Sequence, residues 1–270
     1  MTNPTITAPA ASDAGRVVRG DLRPIRTRGW RRGFVPLLRK ELGQWWGTRQ
    51  WVVQALVWLA LVNGVIALLM TVDPMEDPTQ ALLQVGMLVT AIGVIVTVQG
   101  AIVGERQRGT AAWVLSKPVS RSSFFLAKLV AYSIGFAALS LVLPWVVYNL
   151  ESRLIAGTFP AALPLLGAVG LWGLHLLVYL ALVLAMGTVF RARGPVAAIG
   201  IGVLLAGQFF GGMVPLDLRI GLPWVLPDIA VAVARGQDVP VSIPVAVGAN
   251  LALAAALTGV ALWRLAREEL

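Results

Sequence analysis

The residue types that could do chemistry are concentrated in one basic segment, residues 104–128, between two strongly apolar runs. Its one acidic residue is Glu105, and its basic residues are Arg106, Arg108, Lys117, Arg121 and Lys128. The apolar side chains of Trp113 and Leu115 lie among these charges. A surface that is both basic and apolar is suited to docking on a partner, and we interpret this segment as the working part of the chain.

The apolar runs on both sides attach this segment to a membrane. Residues 81–103 and 124–148 each exceed the roughly 20 residues that a helix needs to cross the bilayer core. The excess of basic residues places the loop 105–121 on the cytoplasmic side. A hairpin that merely follows the positive-inside rule is the alternative interpretation, but it explains only the charge.

The backbone of this loop should be partly helical. Between Glu105 and Leu115 only Gly109, which is followed by Thr110, weakens a helix. We therefore expect the second spanning helix to continue into a short surface helix that ends before Pro118. The candidates for the cap of the third spanning helix are Ser120, Ser122 and Ser123.

The composition identifies an all-α integral membrane protein. The chain has 270 residues, of which 57% are hydrophobic and 13% are charged, about half the charge of a soluble domain. The net charge of +9 is explained by topology and anionic lipids rather than by nucleic acid. Because there is no cysteine and only one histidine, His175, we expect no disulfide and no cysteine- or histidine-based metal site.

Six spanning helices are predicted, at residues 51–72, 81–103, 124–148, 161–189, 195–214 and 242–263. If both termini are cytoplasmic, 19 of the 22 Lys and Arg residues fall on the cytoplasmic side. This distribution follows the positive-inside rule at every loop. The prediction is therefore a six-helix protein with its N-terminus and C-terminus inside.

Three further segments complete the predicted organisation. Residues 1–33 are arginine-rich and poor in apolar residues, which predicts a disordered tail before a transmembrane domain at 34–270. Residues 34–50 predict an amphipathic helix in the headgroup layer, which contains Arg39, Lys40, Glu41, Trp45 and Trp46. Residues 215–241 are apolar but broken by prolines, so we expect short external helices that dip into the outer leaflet or lie on it.

Small residues form a stripe on one face of the second predicted span. They recur at steps of four and three residues: Gly86, Thr90, Gly93, Thr97, Gly100 and Gly104. The fifth span has a weaker counterpart in Gly207 and Gly211. Such faces allow close approach of helices in lipid. Ordinary packing within the subunit, a subunit interface and the wall of a transport path are the three interpretations.

The spans contain few polar residues, and we expect none with a formal charge. The polar ones are Asn63, Gln84, Gln99, His175, Tyr179, Gln208 and Asn250. An ion-coupled carrier ordinarily needs buried charges, so this function is disfavoured. We also find no phosphate-binding glycine loop, metalloprotease pattern or serine nucleophile motif. The chain is therefore not predicted to be an enzyme, and energy for transport would come from another chain.

The order of these residues resembles that of ABC-2 type permeases, the membrane subunits of ATP-binding-cassette exporters. Residues 105–110, 115–121 and 125–128 are similar to the signature that follows the second helix in that family. Further similarity lies in residues 39–41 and in the proline-broken segment before the last span. The resemblance covers residues 34–270 and is most specific at 105–121.

This resemblance implies a permease of the cell membrane that pairs with a second copy or a paralogue and with two cytoplasmic ATPase subunits. ATP and Mg²⁺ would bind to the ATPase, so this chain itself would hold no cofactor. The helix at 34–50 would be a connecting helix, and the loop 105–121 would carry the coupling helix. The faces of the second and fifth helices would meet across the dimer.

The resemblance also suggests roles for individual residues. Trp113 and Leu115 would provide apolar docking, and Glu105 would anchor the end of the coupling helix. Arg106 and Arg108 would pair with acidic groups of the ATPase. The remaining coupling candidates are Gly109, Thr110, Pro118 and Arg121. Two other functions remain open: a six-helix scaffold subunit without transport and, less favoured, a secondary carrier.

Overall fold

The computed structural model describes residues 29–72, 77–109, 119–239 and 241–267, and every regular element in these ranges is a helix. Six helices in the described ranges are long and apolar enough to cross a membrane, as predicted. We number them as spans 1 to 6: Trp51–Val72, Pro78–Gln107, Arg121–Ile155, Ala162–Val189, Arg193–Met213 and Ile243–Arg267. The helix Phe34–Trp46, called the N-terminal helix below, precedes them.

Several spans are longer than the apolar runs that predicted them, because polar caps and flanking residues extend the helices. Span 2 begins at Pro78, where the side chain of Asp77 accepts a hydrogen bond from the backbone N–H of Gln80 at 3.0 Å. Span 3 begins at Arg121, and Ser120 accepts from the backbone N–H of Ser123 at 3.0 Å. Of the three predicted caps, the structure uses Ser120.

Span 4 is the centre of the bundle. About 72% of its most apolar stretch is buried, against 22% for spans 5 and 6. It packs against span 6, span 2 and the helix Leu226–Arg235. Trp172 and Tyr179 are its largest fully buried side chains. A helix that is apolar on all sides is expected in such a central position.

The chain between spans 5 and 6 forms short helices that pack into the bundle, and whether they dip into the outer leaflet or lie on it stays a prediction. This re-entrant segment, residues 214–239, contains the helices Leu216–Arg219 and Leu226–Arg235 and the short turn Pro223–Val225. The Pro223 carbonyl lies 3.2 Å from Nδ1 of His175. At the usual helical rise, His175 lies about 20 Å along span 4 from the first residue of that helix, Ala162. The irregular backbone of the re-entrant segment is therefore shielded by protein, as apolar surroundings require.

Two spans contain a π-helical turn. In span 1 it covers Leu59–Gly64, and in span 3 it covers Ala137–Val142. The side-chain amide of Asn63, in the first turn, donates at 3.0 Å to the Pro144 carbonyl and at 3.0 Å to the carboxylate of Glu151. The first π turn packs against Leu143–Ile155 of span 3, the second packs against Gln50–Trp58 of span 1, and the buried Asn63 contact helps hold these two spans together.

The two ends of the bundle differ in their polar contacts. We define the basic end as the N-terminal helix, the end of span 2, the start of span 3, the 190–194 loop and the end of span 6. At the opposite end, an ion pair between Asp77 and Arg235 joins the start of span 2 to the re-entrant segment. That the basic end faces the cytoplasm, with both termini inside, stays a prediction.

Candidate functional site

Four charged side chains form a cluster at the basic end, called the charge cluster below: Lys40, Glu41, Glu105 and Lys128. The Lys128 Nζ atom lies 3.0 Å from Oε1 of Glu41 and 3.0 Å from Oε1 of Glu105. Lys40 Nζ lies 3.0 Å from Glu105 Oε1 and 3.4 Å from Glu41 Oε1. The four formal charges sum to zero, so the cluster avoids the large cost of an unpaired buried charge.

Burial within the charge cluster is unequal. The side chain of Lys128 is 2% exposed and that of Glu41 3%, whereas that of Lys40 is 39% exposed. Burial acts to lower the pKa of Lys40, but hydrogen bonding and attraction to Glu105, and then to Glu41, outweigh it and raise the pKa. Lys40 therefore stays protonated at neutral pH and closes the cluster toward solvent.

The N-terminal helix reaches this cluster because every fourth residue lies on one helix face. Leu37, Glu41 and Trp45 are all buried on the face that packs against span 3. The Trp45 ring meets those of Tyr132 and Phe136 edge to face, with centroids 5.5 and 5.3 Å apart. Glu41 is thus carried into the interface by the apolar residues on either side of it.

The prediction that the spans contain no formally charged residue is wrong for Lys128. This residue lies in span 3 and is buried. Its ammonium is tolerated because it lies near the basic end, where two neighbouring elements each supply a carboxylate. The sequence signal for Glu41 is its placement four residues from both Leu37 and Trp45, which puts an acid on the apolar face but does not identify its partner.

Two other predicted coupling residues hold the basic end together. Nη1 of Arg106 lies 3.4 and 3.2 Å from the carbonyl oxygens of Gly187 and Thr188, at the end of span 4. Nη1 of Arg121 lies 3.1 and 3.0 Å from the carbonyls of Leu265 and Ala266, in the last turn of span 6. Cationic groups satisfy the unpaired carbonyls of a helix C-terminus and favour its dipole.

The rest of the predicted coupling loop is described only in part. Arg108 and Gly109 are exposed, and Gly109 has a positive φ of 69°, the conformation that commonly ends a helix. The helix therefore ends at Gln107, before the predicted surface helix. Four coupling candidates lie outside the described residues: Thr110, Trp113, Leu115 and Pro118. Their docking role, like the pairing of Arg106 and Arg108 with an ATPase, stays a prediction.

The outer face of the N-terminal helix carries the other residues predicted there. Arg39 is exposed, and Trp46 is 41% exposed and lies 6.1 Å from Trp51, centroid to centroid. Trp45, by contrast, packs against protein. Placement of this helix in the headgroup layer, and of residues 1–28, which lie outside the described ranges, stays a prediction.

Large side chains of the same subunit cover the glycine stripe of span 2. Gly86 lies against the Trp172 ring of span 4, and Gly93 lies against the Trp58 ring of span 1. The Thr90 hydroxyl accepts a hydrogen bond from Nε1 of Trp172 at 2.9 Å. Intrasubunit packing therefore accounts for this part of the stripe.

The remaining stripe residues of span 2, and their counterparts in span 5, also contact side chains of this subunit. The guanidinium of Arg193 lies against Gly100 and Gly104, and the indole of Trp224 lies against Gly207. Thr97 borders a groove between spans 1 and 2, and the Gly211 carbonyl lies 3.4 Å from Nη1 of Arg219. A role of these residues in a dimer interface stays a prediction.

Two comparisons with known proteins bear on this architecture. The chain is 28% identical over 137 residues to an uncharacterized transmembrane protein, YxlG, of Bacillus subtilis (strain 168). That match covers 50% of each chain, so this protein aligns with about half the length of its relative. A family model described as ABC-2 family transporter protein matches residues 73–230, more than half of the chain and all of spans 2 to 5. The chain therefore belongs to the ABC-2 family of transporter proteins.

Proposed function

We propose that this chain is the permease subunit of an ABC exporter. It forms the membrane path and couples ATP-driven closure of a separate ATPase to transport or to conformational work. Membership of the ABC-2 family supports a membrane component of an ABC transporter, and such components normally work with cytoplasmic ATPase subunits. That the complex exports a substrate, and that residues 105–121 couple this chain to the ATPase, is our proposal.

The charge cluster is the observation that carries the coupling proposal. It joins the N-terminal helix, the end of span 2 and the start of span 3 through contacts of 3.0 to 3.4 Å. The predicted docking loop begins at Glu105, within this cluster. A push on the loop would therefore move three elements together, as rigid-body transitions between two packed states require.

Arg106 and Arg121 extend this connection. Through backbone carbonyls they link the two ends of the loop to span 4 and span 6, respectively. In the proposed complex, two ATPase subunits that bind ATP and Mg²⁺ dock at the basic end of two permease copies, or of one copy and a paralogue. The complex lies in the cell membrane, among its lipids, with both permease termini in the cytoplasm.

The test is a replacement of residues 106–115 by a Gly/Ser linker of equal length. We expect the variant to insert and to lose stimulation of the ATPase by the assembled permease. A matched control replaces 156–161, a loop at the opposite end, in the same way and should keep the stimulation. Stimulation that persists in the 106–115 variant would contradict coupling through this loop.

Co-purification distinguishes the permease from a scaffold subunit. We expect an ATPase that carries phosphate-loop and ABC signature sequences to accompany the full-length chain from a mild detergent. A stable, monomeric chain that purifies without any ATPase would favour the scaffold. This measurement requires no knowledge of the substrate.

A further inference from the structure

The polar residues of spans 2, 4 and 5 meet at a cavity that the proposed coupling mechanism does not use. The cavity has a volume of about 260 Å³ and lies between these spans and the re-entrant segment. Its lining includes Gln84, His175, Tyr179, Gln208, Trp224 and Asp228. A volume slightly below that of a typical ligand pocket is suited to the head of an amphiphile rather than to a whole drug-sized molecule.

His175 presents a free acceptor to this cavity. Its Nδ1 atom lies 3.2 Å from the Pro223 carbonyl, and because a carbonyl only accepts, Nδ1 must carry the proton. In the neutral imidazole, Nε2 is then an acceptor. The residue is 2% exposed, and Nε2 has no hydrogen-bond partner within the described residues. A buried acceptor without a donor is costly, so this atom points to a ligand with an N–H or O–H group.

Two aromatic rings stand beside this acceptor. The Tyr179 ring lies 4.9 Å from the His175 ring, and the buried Tyr179 hydroxyl lies beside the Trp224 side chain. The indole Nε1 of Trp224 donates to the Val203 carbonyl at 3.0 Å, which fixes the orientation of this ring at the cavity. Aromatic faces attract cations, and the phenol oxygen adds a second acceptor.

None of the described residues that line the outer part of the cavity is basic. Gln84 and Gln208 are exposed there, and their amides can accept hydrogen bonds. Asp228 supplies a carboxylate that is 60% exposed and lies 3.2 Å from Nη2 of Arg219. This lining consists of two amides, an imidazole acceptor and a carboxylate. It matches a positively charged group that only donates hydrogen bonds.

We propose that this cavity binds the primary ammonium head of an amphiphile whose chain extends into the bilayer. As a site for the transported substrate, it rests on the proposed function. Binding itself requires only the permease. A failure to bind would therefore overturn this proposal and leave ATPase coupling untouched.

The single histidine gives a direct measurement. The full-length chain, purified through a tag without histidine, would carry ¹⁵N-labelled histidine in lipid nanodiscs. Dodecylammonium should then shift the one Nε2 resonance saturably. Dodecyltrimethylammonium, which has the same charge and chain but no N–H, should not produce this shift. Equal shifts with both probes, a shift that does not saturate, or no shift would overturn the proposal.

Two variants test whether the shift of the His175 resonance reports binding in this cavity. Tyr179→Phe removes the hydroxyl and keeps the ring, so the protein should fold and bind dodecylammonium about two- to tenfold more weakly. The control, Gln99→Leu, alters an amide that donates to the Val96 carbonyl in its own helix and should leave affinity unchanged. Equal affinities of the Tyr179→Phe and wild-type proteins would overturn the assigned site.

Discussion

The Nζ atom of Lys128 in span 3 lies 3.0 Å from Oε1 of Glu105 in the last turn of span 2. These side chains are 2% and 8% exposed, so water screens their attraction little. Between the two residues lies the loop that we propose to dock on an ATPase. Its two flanking helices are therefore held together by an ion pair on the side of the bundle where that loop emerges.

Replacement of Lys128 by methionine should strongly destabilise the protein. It leaves the buried carboxylates of Glu41 and Glu105 with only the partly exposed Lys40, and loss of one buried partner costs about 3–5 kcal/mol. The measurement is the free energy of unfolding of the purified chain in detergent. Lys40→Met is the comparison and should cost less, because Lys40 is 39% exposed and Lys128 still pairs with both carboxylates. Equal losses in the two variants would contradict the assigned burial of Lys128.

Addition of a second substitution should partly rescue that variant. In Lys128→Met/Glu41→Gln, one buried negative charge is removed together with its missing partner, so the double variant should be more stable than Lys128→Met alone. The same unfolding measurement checks this order. If the double variant is less stable than either single variant, the two side chains do not interact as the structure describes.

The glycine stripe gives a packing prediction. A methyl group on Gly86 would collide with the Trp172 ring, and overpacking of a tight core costs about 1–3 kcal/mol. Gly86→Ala should therefore lower the thermal midpoint in detergent. Gly202→Ala adds a methyl group to open space in span 5 and should change the midpoint little. An unaffected Gly86→Ala protein would indicate that span 2 and span 4 are not in close contact.

The re-entrant segment should become less protected from hydrogen exchange when the indole of Trp224 is displaced from span 5. Gly207 leaves room for this ring, so Gly207→Val should increase hydrogen exchange in residues 222–235. Exchange in the N-terminal helix should stay unchanged, because that helix packs on span 3. Gly202→Val is the matched control on the same span. Uniform protection in both variants would argue against insertion of Trp224.

The absence of cysteine makes the topology directly testable. Single cysteines can be introduced at Thr158, between spans 3 and 4, and at Arg191, between spans 4 and 5; both positions are exposed. With both termini inside, a membrane-impermeant maleimide should label intact cells at Thr158→Cys only. Permeabilised cells should be labelled at both positions. The reverse pattern would mean that the basic end faces outward and cannot dock on a cytoplasmic ATPase.

Hydropathy predicted the number of spans because a bilayer requires long, uninterrupted apolar helices. It did not predict their full length, since caps such as Asp77 and Ser120 lie beyond the apolar core. The proline-broken composition predicted the segment of short helices before span 6. Its exact depth depends on the contact between Pro223 and His175, two residues far apart in the chain.

The site was less accessible to sequence reasoning than the fold. The basic composition indicated the loop after span 2, and the coupling role of the residues around Glu105 stays a prediction. The pairing of Lys128 with Glu41 joins residues 87 positions apart, and local spacing cannot predict such a contact. Similarly, Gln84, His175 and Gln208 are isolated polar residues in the sequence and share a cavity only after three spans have packed.

The π turns of spans 1 and 3 affect where these two helices can bend. Each extra residue rotates the following part of the helix by about 100°, so the two halves of each span present different sides to their neighbours. Wide turns interrupt the regular hydrogen-bond ladder, and helices kink at such places. Because each π turn packs against the other span near the hydrogen bond from Asn63 to the Pro144 carbonyl, a bend at either turn would press on the neighbouring helix.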